Sequence, residues 1–225
     1  MKSVARILQK HPHKYSNLNL ISSAKVPIIR FIDTQYNLNF DVSFNKLDGL
    51  YQVNEVMKSF KIYPEIRHLI FILKIFLRQR DLNNTYMGGV GSFLLFCLVL
   101  AFLRHYKREL IEQRGAEELK SVVLSEYLLK LLEFYGVTFD SARQQIIMGE
   151  SGRIIDKPNR DPAFSLISPQ YDSHDIGNAA FKIRDVFGAF KNRFYFMTNL
   201  NYKPGESILK YLINPSLKDF SIYLH

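Results

Sequence analysis

Residues 93–103, FLLFCLVLAFL, are an unbroken apolar run that must be placed before anything else in the chain. The run is far short of the roughly 18 to 20 residues that span a bilayer, so it reads as a helix buried in a core. A second segment of the same kind precedes it. Pro64 opens a helix where its missing N–H costs nothing, and Ile66, Leu69, Ile70, Leu73 and Leu77 recur at intervals of three and four as a core-facing stripe. Phe71, Ile75 and Phe76 make the other side apolar too, so this helix is expected to be buried around most of its circumference.

Lys74 is the one charge between Leu69 and Leu77, and Arg78 follows one turn later on the same face. An ammonium among aliphatic side chains either reaches water along its own stem or meets an anion. Between the two apolar segments, residues 86–92, YMGGVGS, make a glycine-rich turn feeding straight into the second helix. Such a turn leaves backbone N–H groups at a positive helix end. Two cations on one helix and this start on the next could bracket a polyphosphate; alternatively, the glycines only permit close packing in a helix hairpin.

The 225 residues, 47% hydrophobic and 14% aromatic, suffice for one large or two small domains with a real core. The net charge is +9, and six basic residues precede the first acid, Asp33. That balance favours a polyanion such as nucleic acid or nucleotide, with a generically basic surface as the plain alternative. The single cysteine, Cys97, excludes disulfides and zinc sites within the chain. Residues 1–10 have no apolar segment of the signal-peptide kind, so an intracellular, reducing compartment and no membrane are expected.

Toward the N-terminus, Val4, Ile7 and Leu8 suggest a short helix closed by His11 and Pro12. Residues 24–32 and 38–44 read as a strand hairpin around a turn at 33–37. Leu38, Phe40, Val42 and Phe44 would face one side and Asn39, Asp41 and Ser43 the other, which projects Asp41 from mid-strand onto the polar face. An amphipathic helix follows on Leu50, Val53, Met57 and Phe60. Further on come a helix over 119–135 ended by Gly136, a small hairpin over 145–157, a helix to about 197 with Ile183, Phe187, Phe190 and Phe194 as its stripe, and a short helix over 206–213.

These residues carry a resemblance. The sequence is similar to the DNA polymerase sigma, or nuclear poly(A) polymerase, family and its terminal uridylyltransferase relatives, enzymes that extend RNA 3′ ends. Tyr63-Pro64, Lys74, Arg78 and Gly88-Gly89-Val90-Gly91-Ser92-Phe93-Leu94-Leu95 resemble the family's central domain, where a Tyr-Pro helix with two basic residues precedes Gly-Gly-Leu-Ser-Ser-Tyr-Ser-Leu. Val26-Pro27-Ile28-Ile29-Arg30-Phe31 and Asp41-Val42-Ser43-Phe44 resemble the strand pair that ends the catalytic palm. Ser168-Pro169-Gln170-Tyr171-Asp172-Ser173-His174-Asp175-Ile176-Gly177 resembles, in part, the nucleotide recognition loop Asp-Pro-Leu-x-Pro-x-Asn-Asp-Val-Gly.

The resemblance implies an α+β fold: a partial palm at residues 1–46, and a mostly helical central domain at 47–225 with its recognition loop at 164–181. It implies that Lys74 and Arg78 contact a triphosphate, that Gly89 and Ser92 help hold it, and that Phe93 stacks on the base. Asp48 stands where the family has a ribose-contacting Asn. His174 would read the base beside Asp175, itself equally suited to cap the following helix. His174 replaces the Asn of adenylyl-adding members, and uridylyl-adding relatives often carry His there.

Asp41 matches the third of three carboxylates that hold Mg2+ or Mn2+, and two such ions clamping attacking and leaving oxygens need several carboxylate oxygens. The family's Gly-Ser and Asp-x-Asp pattern lies upstream of the matched strands, and no Asp-x-Asp occurs in the 225 residues. The strands would then have an unpaired edge and an uncovered apolar face, prone to association. The implied function is transfer of AMP from ATP, or of UMP from UTP, to RNA 3′ ends, with a separate RNA-binding subunit and a helicase as partners. The alternatives are an inactive chain that keeps a nucleotide or RNA site, and a helical scaffold in which Lys74 merely reaches water.

Overall fold

A computed structural model of the chain describes residues 1–23, 26–44, 48–149, 152–168, 174–202 and 205–214. The chain divides into two compact units, Met1–Val53 and Asn54–His225.

In the first unit, α1 (Lys2–Gln9) precedes a three-stranded antiparallel sheet of β1 (Tyr15–Ile21), β2 (Ile28–Asp33) and β3 (Leu38–Ser43), with β2 in the middle. The β2–β3 hairpin has the expected faces: Phe31 lies opposite Phe40, their rings stacked at 5.3 Å, and Ile29 lies opposite Val42. Asp33 Oδ1 accepts the backbone N–H groups of Gln35 and Tyr36 and so closes the turn. β1 is a strand that the sequence did not announce, and it is bulged between Ser16 and Asn19, with Asn17 at φ +52°. α1 packs its Ala5 side on the sheet, leaving Val4 and Ile7 outside; among the described residues Ala5, Ile29 and Phe31 form the buried core, with half-buried neighbours such as Leu8, Leu18, Leu20 and Val42 packed on it. Leu38 and Phe40 on the outer strand stay 55% and 42% exposed.

α2 (Asp48–Ile62) leads into the second unit. Its inward residues are Val56, Ser59 and Phe60, whereas Leu50, Val53 and Met57 face out, so only Phe60 of the expected stripe turns inward. α3 (Glu65–Arg78) follows Pro64, and α4 (Ser92–Arg114) carries the long apolar run, with every residue from Leu94 to Leu103 buried. Phe71 is exposed, so α3 is buried on fewer sides than its sequence suggests. Glu65 of α3 pairs with Lys107 of α4, whose ammonium also lies 5.1 and 5.4 Å from the rings of Tyr63 and Tyr127.

α5 (Leu124–Glu133) runs into a wide π-type turn, Phe134–Thr138, that contains Gly136. Gly136 is therefore no helix cap: a Cβ there would lie 2.5 Å from the backbone nitrogen of Lys191, so the missing side chain lets two backbones meet. Tyr135, fully buried beside it, donates to the carbonyl of Leu98. A second sheet has β4 (Gln144–Ile147) in the middle, antiparallel to β5 (Arg153–Asp156) and parallel to the two-residue β6 (Leu166–Ile167). α6 (Ile183–Thr198) buries Ile183, Val186, Phe187, Phe190 and Met197 against the same core, and α7 (Leu209–Leu212) is a single turn. Among the described residues no helix is long and apolar enough to cross a membrane.

Candidate functional site

In the first unit the decisive residue is Asp41. It stands on β3 directly opposite Arg30 of β2, and the guanidinium grips both carboxylate oxygens at 2.7 Å. The pair is solvent-facing, at 42% and 46% side-chain exposure. Donation from Arg30 holds the Asp41 carboxyl below its usual pKa. No group of three or more His, Cys, Asp or Glu side chains able to hold a metal exists among the described residues. With both oxygens of Asp41 engaged and no Asp-x-Asp in the sequence, the residues present do not make a two-metal centre by themselves.

In the second unit the candidate residues gather at the joint between α3 and α4. Lys74 and Arg78 occupy the last two turns of α3, both half-buried, and Lys74 has no ion-pair partner among the described residues. The loop that follows is pinned to the end of α3 by the N–H of Leu82 on the Leu77 carbonyl, and by the N–H of Val90 on the Leu82 carbonyl. Asn84 caps the tight turn at Thr85–Met87 through Tyr86 N, and Gly88 ends it at φ +77°. A Cβ at Gly89 would stand 2.4 Å from the Leu82 carbonyl oxygen, so only glycine fits there.

The glycine-rich turn uses most of its own donors. The N–H groups of Gly88, Gly89 and Val90 bond to carbonyls within the loop. What the helix start leaves over are the N–H groups of Ser92, Phe93 and Leu94, which precede the first intrahelical donor. Ser92 is exposed. Phe93 is half-buried, its ring stacked on Phe96 at 5.9 Å.

The segment from His174 onward reaches this same turn. The N–H of Lys182 donates to the Gly88 carbonyl at 2.9 Å, and the Phe181 ring, itself 71% exposed, covers Gly88 so closely that a Cβ would lie 2.4 Å from it. Upstream, His174 is exposed while its carbonyl accepts from Ser168 N at 2.8 Å. Asp175 Oδ1 accepts three backbone N–H groups, from Leu166, Gly177 and Asn178. Since α6 starts at Ile183, Asp175 closes a turn and ties it to β6; it does not cap the helix. Residues 169–173 of the loop and the side chain of Asp48 lie outside the described residues. The sequence reading passed over Phe181 and Lys182, whose one signal is their position just past the recognition-loop pattern.

Residues 1–57 match the family model described as poly(A) RNA polymerase, mitochondrial-like, central palm domain. The chain is 31% identical over 212 residues to the poly(A) RNA polymerase cid14 of Schizosaccharomyces pombe, covering 91% of this chain and 30% of that one. It is a homologue of the cid14-type poly(A) RNA polymerases. Poly(A) RNA polymerase protein 2 of Saccharomyces cerevisiae is 27% identical over 90% of this chain and 35% of its own length, so the chain spans about a third of these relatives. A solved structure of the polymerase core of TRAMP, described as an RNA surveillance complex, superposes with a TM-score of 0.72 at 25% identity, over 95% of this chain and 71% of that one. The mixed α+β architecture is thus that of a nucleotidyltransferase core with a helical central domain.

Proposed function

We propose that this chain holds a ribonucleoside triphosphate for addition to RNA 3′ ends, AMP in preference to UMP. The observation that carries the reading is the docking of Phe181 and Lys182 on Gly88, which brings the segment beginning at His174 to the glycine-rich entrance of α4. In this reading Lys74 and Arg78 balance the triphosphate charge, while Ser92 and the open N–H groups of Ser92, Phe93 and Leu94 bind its oxygens. Gly89 keeps the loop backbone close, Phe93 offers a ring to the base, and His174 meets the base edge. Asp175 acts by fixing the backbone around His174.

Asp41 supplies at most one ligand to Mg2+ or Mn2+, and only after leaving Arg30. RNA is the acceptor, as the likeness to the polymerase core of an RNA surveillance complex supports; a separate RNA-binding subunit, a helicase and a nuclear setting belong to the same proposal. The engagement of Asp41 by Arg30 favours one second reading: a chain that binds nucleotide or RNA without catalysis.

A labelled RNA oligonucleotide, offered to the chain with Mg2+ and each nucleoside triphosphate in turn, separates the readings when run beside Asp41→Ala. Adenylate tailing that vanishes in Asp41→Ala establishes the enzyme. ATP binding without tailing supports a nucleotide-holding part short of metal ligands. Neither binding nor tailing overturns the proposal, and UMP chosen over AMP, reversed by His174→Asn, corrects the base.

A further inference from the structure

The second unit has a cationic cleft apart from the glycine-rich turn. Its wall is built by the segment just after α3, the C-terminal half of α6, and α7 with the residues that follow it, enclosing a cavity of about 450 Å³. Arg80, Arg193 and Lys210 line it together with Phe196 and Tyr211. Gln79 and Asn214 clasp the two ends through a reciprocal pair of hydrogen bonds at 2.8 and 3.0 Å, which holds the cleft open as a fixed shape.

The cations are placed for an external anion. Arg80 donates to the Phe76 carbonyl and lies 3.7 Å from the centre of the Phe76 ring, and Arg193 donates to the Tyr211 carbonyl; each keeps further N–H donors. Among the described residues neither guanidinium has a carboxylate partner within 4.0 Å, and only Lys210 does, in Glu206. Burial and the neighbouring Arg193 charge hold the Arg80 pKa below its ordinary value. Aromatic rings interleave with these charges. Arg193 lies 5.0 Å from the Phe196 ring centre and Lys210 lies 4.7 Å from that of Tyr211, while Phe196, and Tyr202 with its ring 5.8 Å from that of Tyr211, stay exposed.

We propose that this cleft is a second RNA subsite, in which Arg80, Arg193 and Lys210 hold backbone phosphates of a single strand and the adjoining exposed rings stack on its bases. Paired guanidiniums suit phosphate oxygens, and cations interleaved with aromatic faces are the pattern of sequence-tolerant single-strand binding. An acidic peptide would use the charges but leave the rings without a partner. The inference does not depend on nucleotide binding at the glycine-rich turn.

The test is fluorescence anisotropy of a labelled twelve-residue oligoadenylate across a salt series, with wild type and with Arg80→Gln/Arg193→Gln, and with an ATP titration beside each. Loss of two phosphate contacts should weaken RNA binding at least tenfold at low salt and flatten the log–log salt slope by about 1.4, while ATP affinity stays unchanged. Because Arg80 also packs on Phe76, Lys210→Gln/Phe196→Ala, which alters exposed side chains alone, provides a second arm with the same expected direction. Unchanged RNA affinity and slope in a folded variant would overturn the subsite. So would an equal loss of ATP binding, which would make the cleft part of the nucleotide site. Polyglutamate binding as tightly as the oligonucleotide, and lost in the same variants, would overturn it in favour of a protein partner.

Discussion

The two units differ in how much of their apolar surface finds a partner inside the chain. The first rests on Ala5, Ile29 and Phe31 beneath one short helix, and shows Leu38 and Phe40 to solvent along its outer strand. The second wraps α3 through α6 around the fully buried run of α4. A sheet needs a covered face and paired edges to stand by itself, and a helix bundle needs only facing stripes. The lesson is functional as well. On the proposed function, the side of the chemistry that needs several carboxylates would fall on the thin unit, whose Asp41 is engaged by Arg30, and the groups proposed for phosphate and base on the larger one.

The largest effect expected is from Ile29→Ala, which empties a fully buried position in a small core that, among the described residues, buries Ala5, Ile29 and Phe31. A loss of about 3 kcal/mol should melt the first unit alone. Hydrogen exchange should then show amides of β1, β2 and β3 unprotected and those of α3 and α4 unchanged; loss spread over both units would break the comparison. Gly89→Ala comes next. Its Cβ would meet the Leu82 carbonyl, so a cost of about 2 kcal/mol is expected in the second unit's thermal unfolding, together with weaker ATP binding. A variant as stable as wild type would show that the loop can shift.

The smallest effect concerns pH. The Asp41 carboxyl is lowered in the folded chain, so its pair with Arg30 stabilises fully above the ordinary carboxylate pKa of about 4 and is lost as pH falls through the lower folded value. For so exposed a pair about 0.5 kcal/mol is expected. The difference in first-unit melting temperature between wild type and Asp41→Asn should therefore shrink as pH falls below the ordinary carboxylate range and vanish below the lower folded value. A difference that persists there would mean that Arg30 and Asp41 act through something other than charge.

What was legible in the sequence follows physical range. The α3–α4 segment, the β2–β3 hairpin and α6 carry their own periodicity and all three are present, with β2 beginning only at Ile28 and α6 only at Ile183. β1 escaped because only Leu18 and Leu20 alternate across a bulge, and β6 because two residues make no pattern. Gly136 was misread because its reason is the backbone of Lys191, far along the chain. The α1 stripe was read onto Val4, Ile7 and Leu8; Leu8 packs against the sheet, but beside Ala5, while Val4 and Ile7 stay exposed. Lys74, Arg78, Ser92 and His174 could be named from motifs alone. The grip of Arg30 on Asp41 needs the strand register, and the meeting of Arg80 with Arg193 needs the whole fold.

The measurement that tests most directly whether the second unit holds the nucleotide is equilibrium binding of ATP to the 225-residue chain and to Lys74→Ala. Saturable binding weakened about tenfold, near 1.4 kcal/mol, by Lys74→Ala with its melting temperature unchanged is the predicted result. Equal affinity in both chains would contradict it and leave Lys74 as a lysine that merely reaches water.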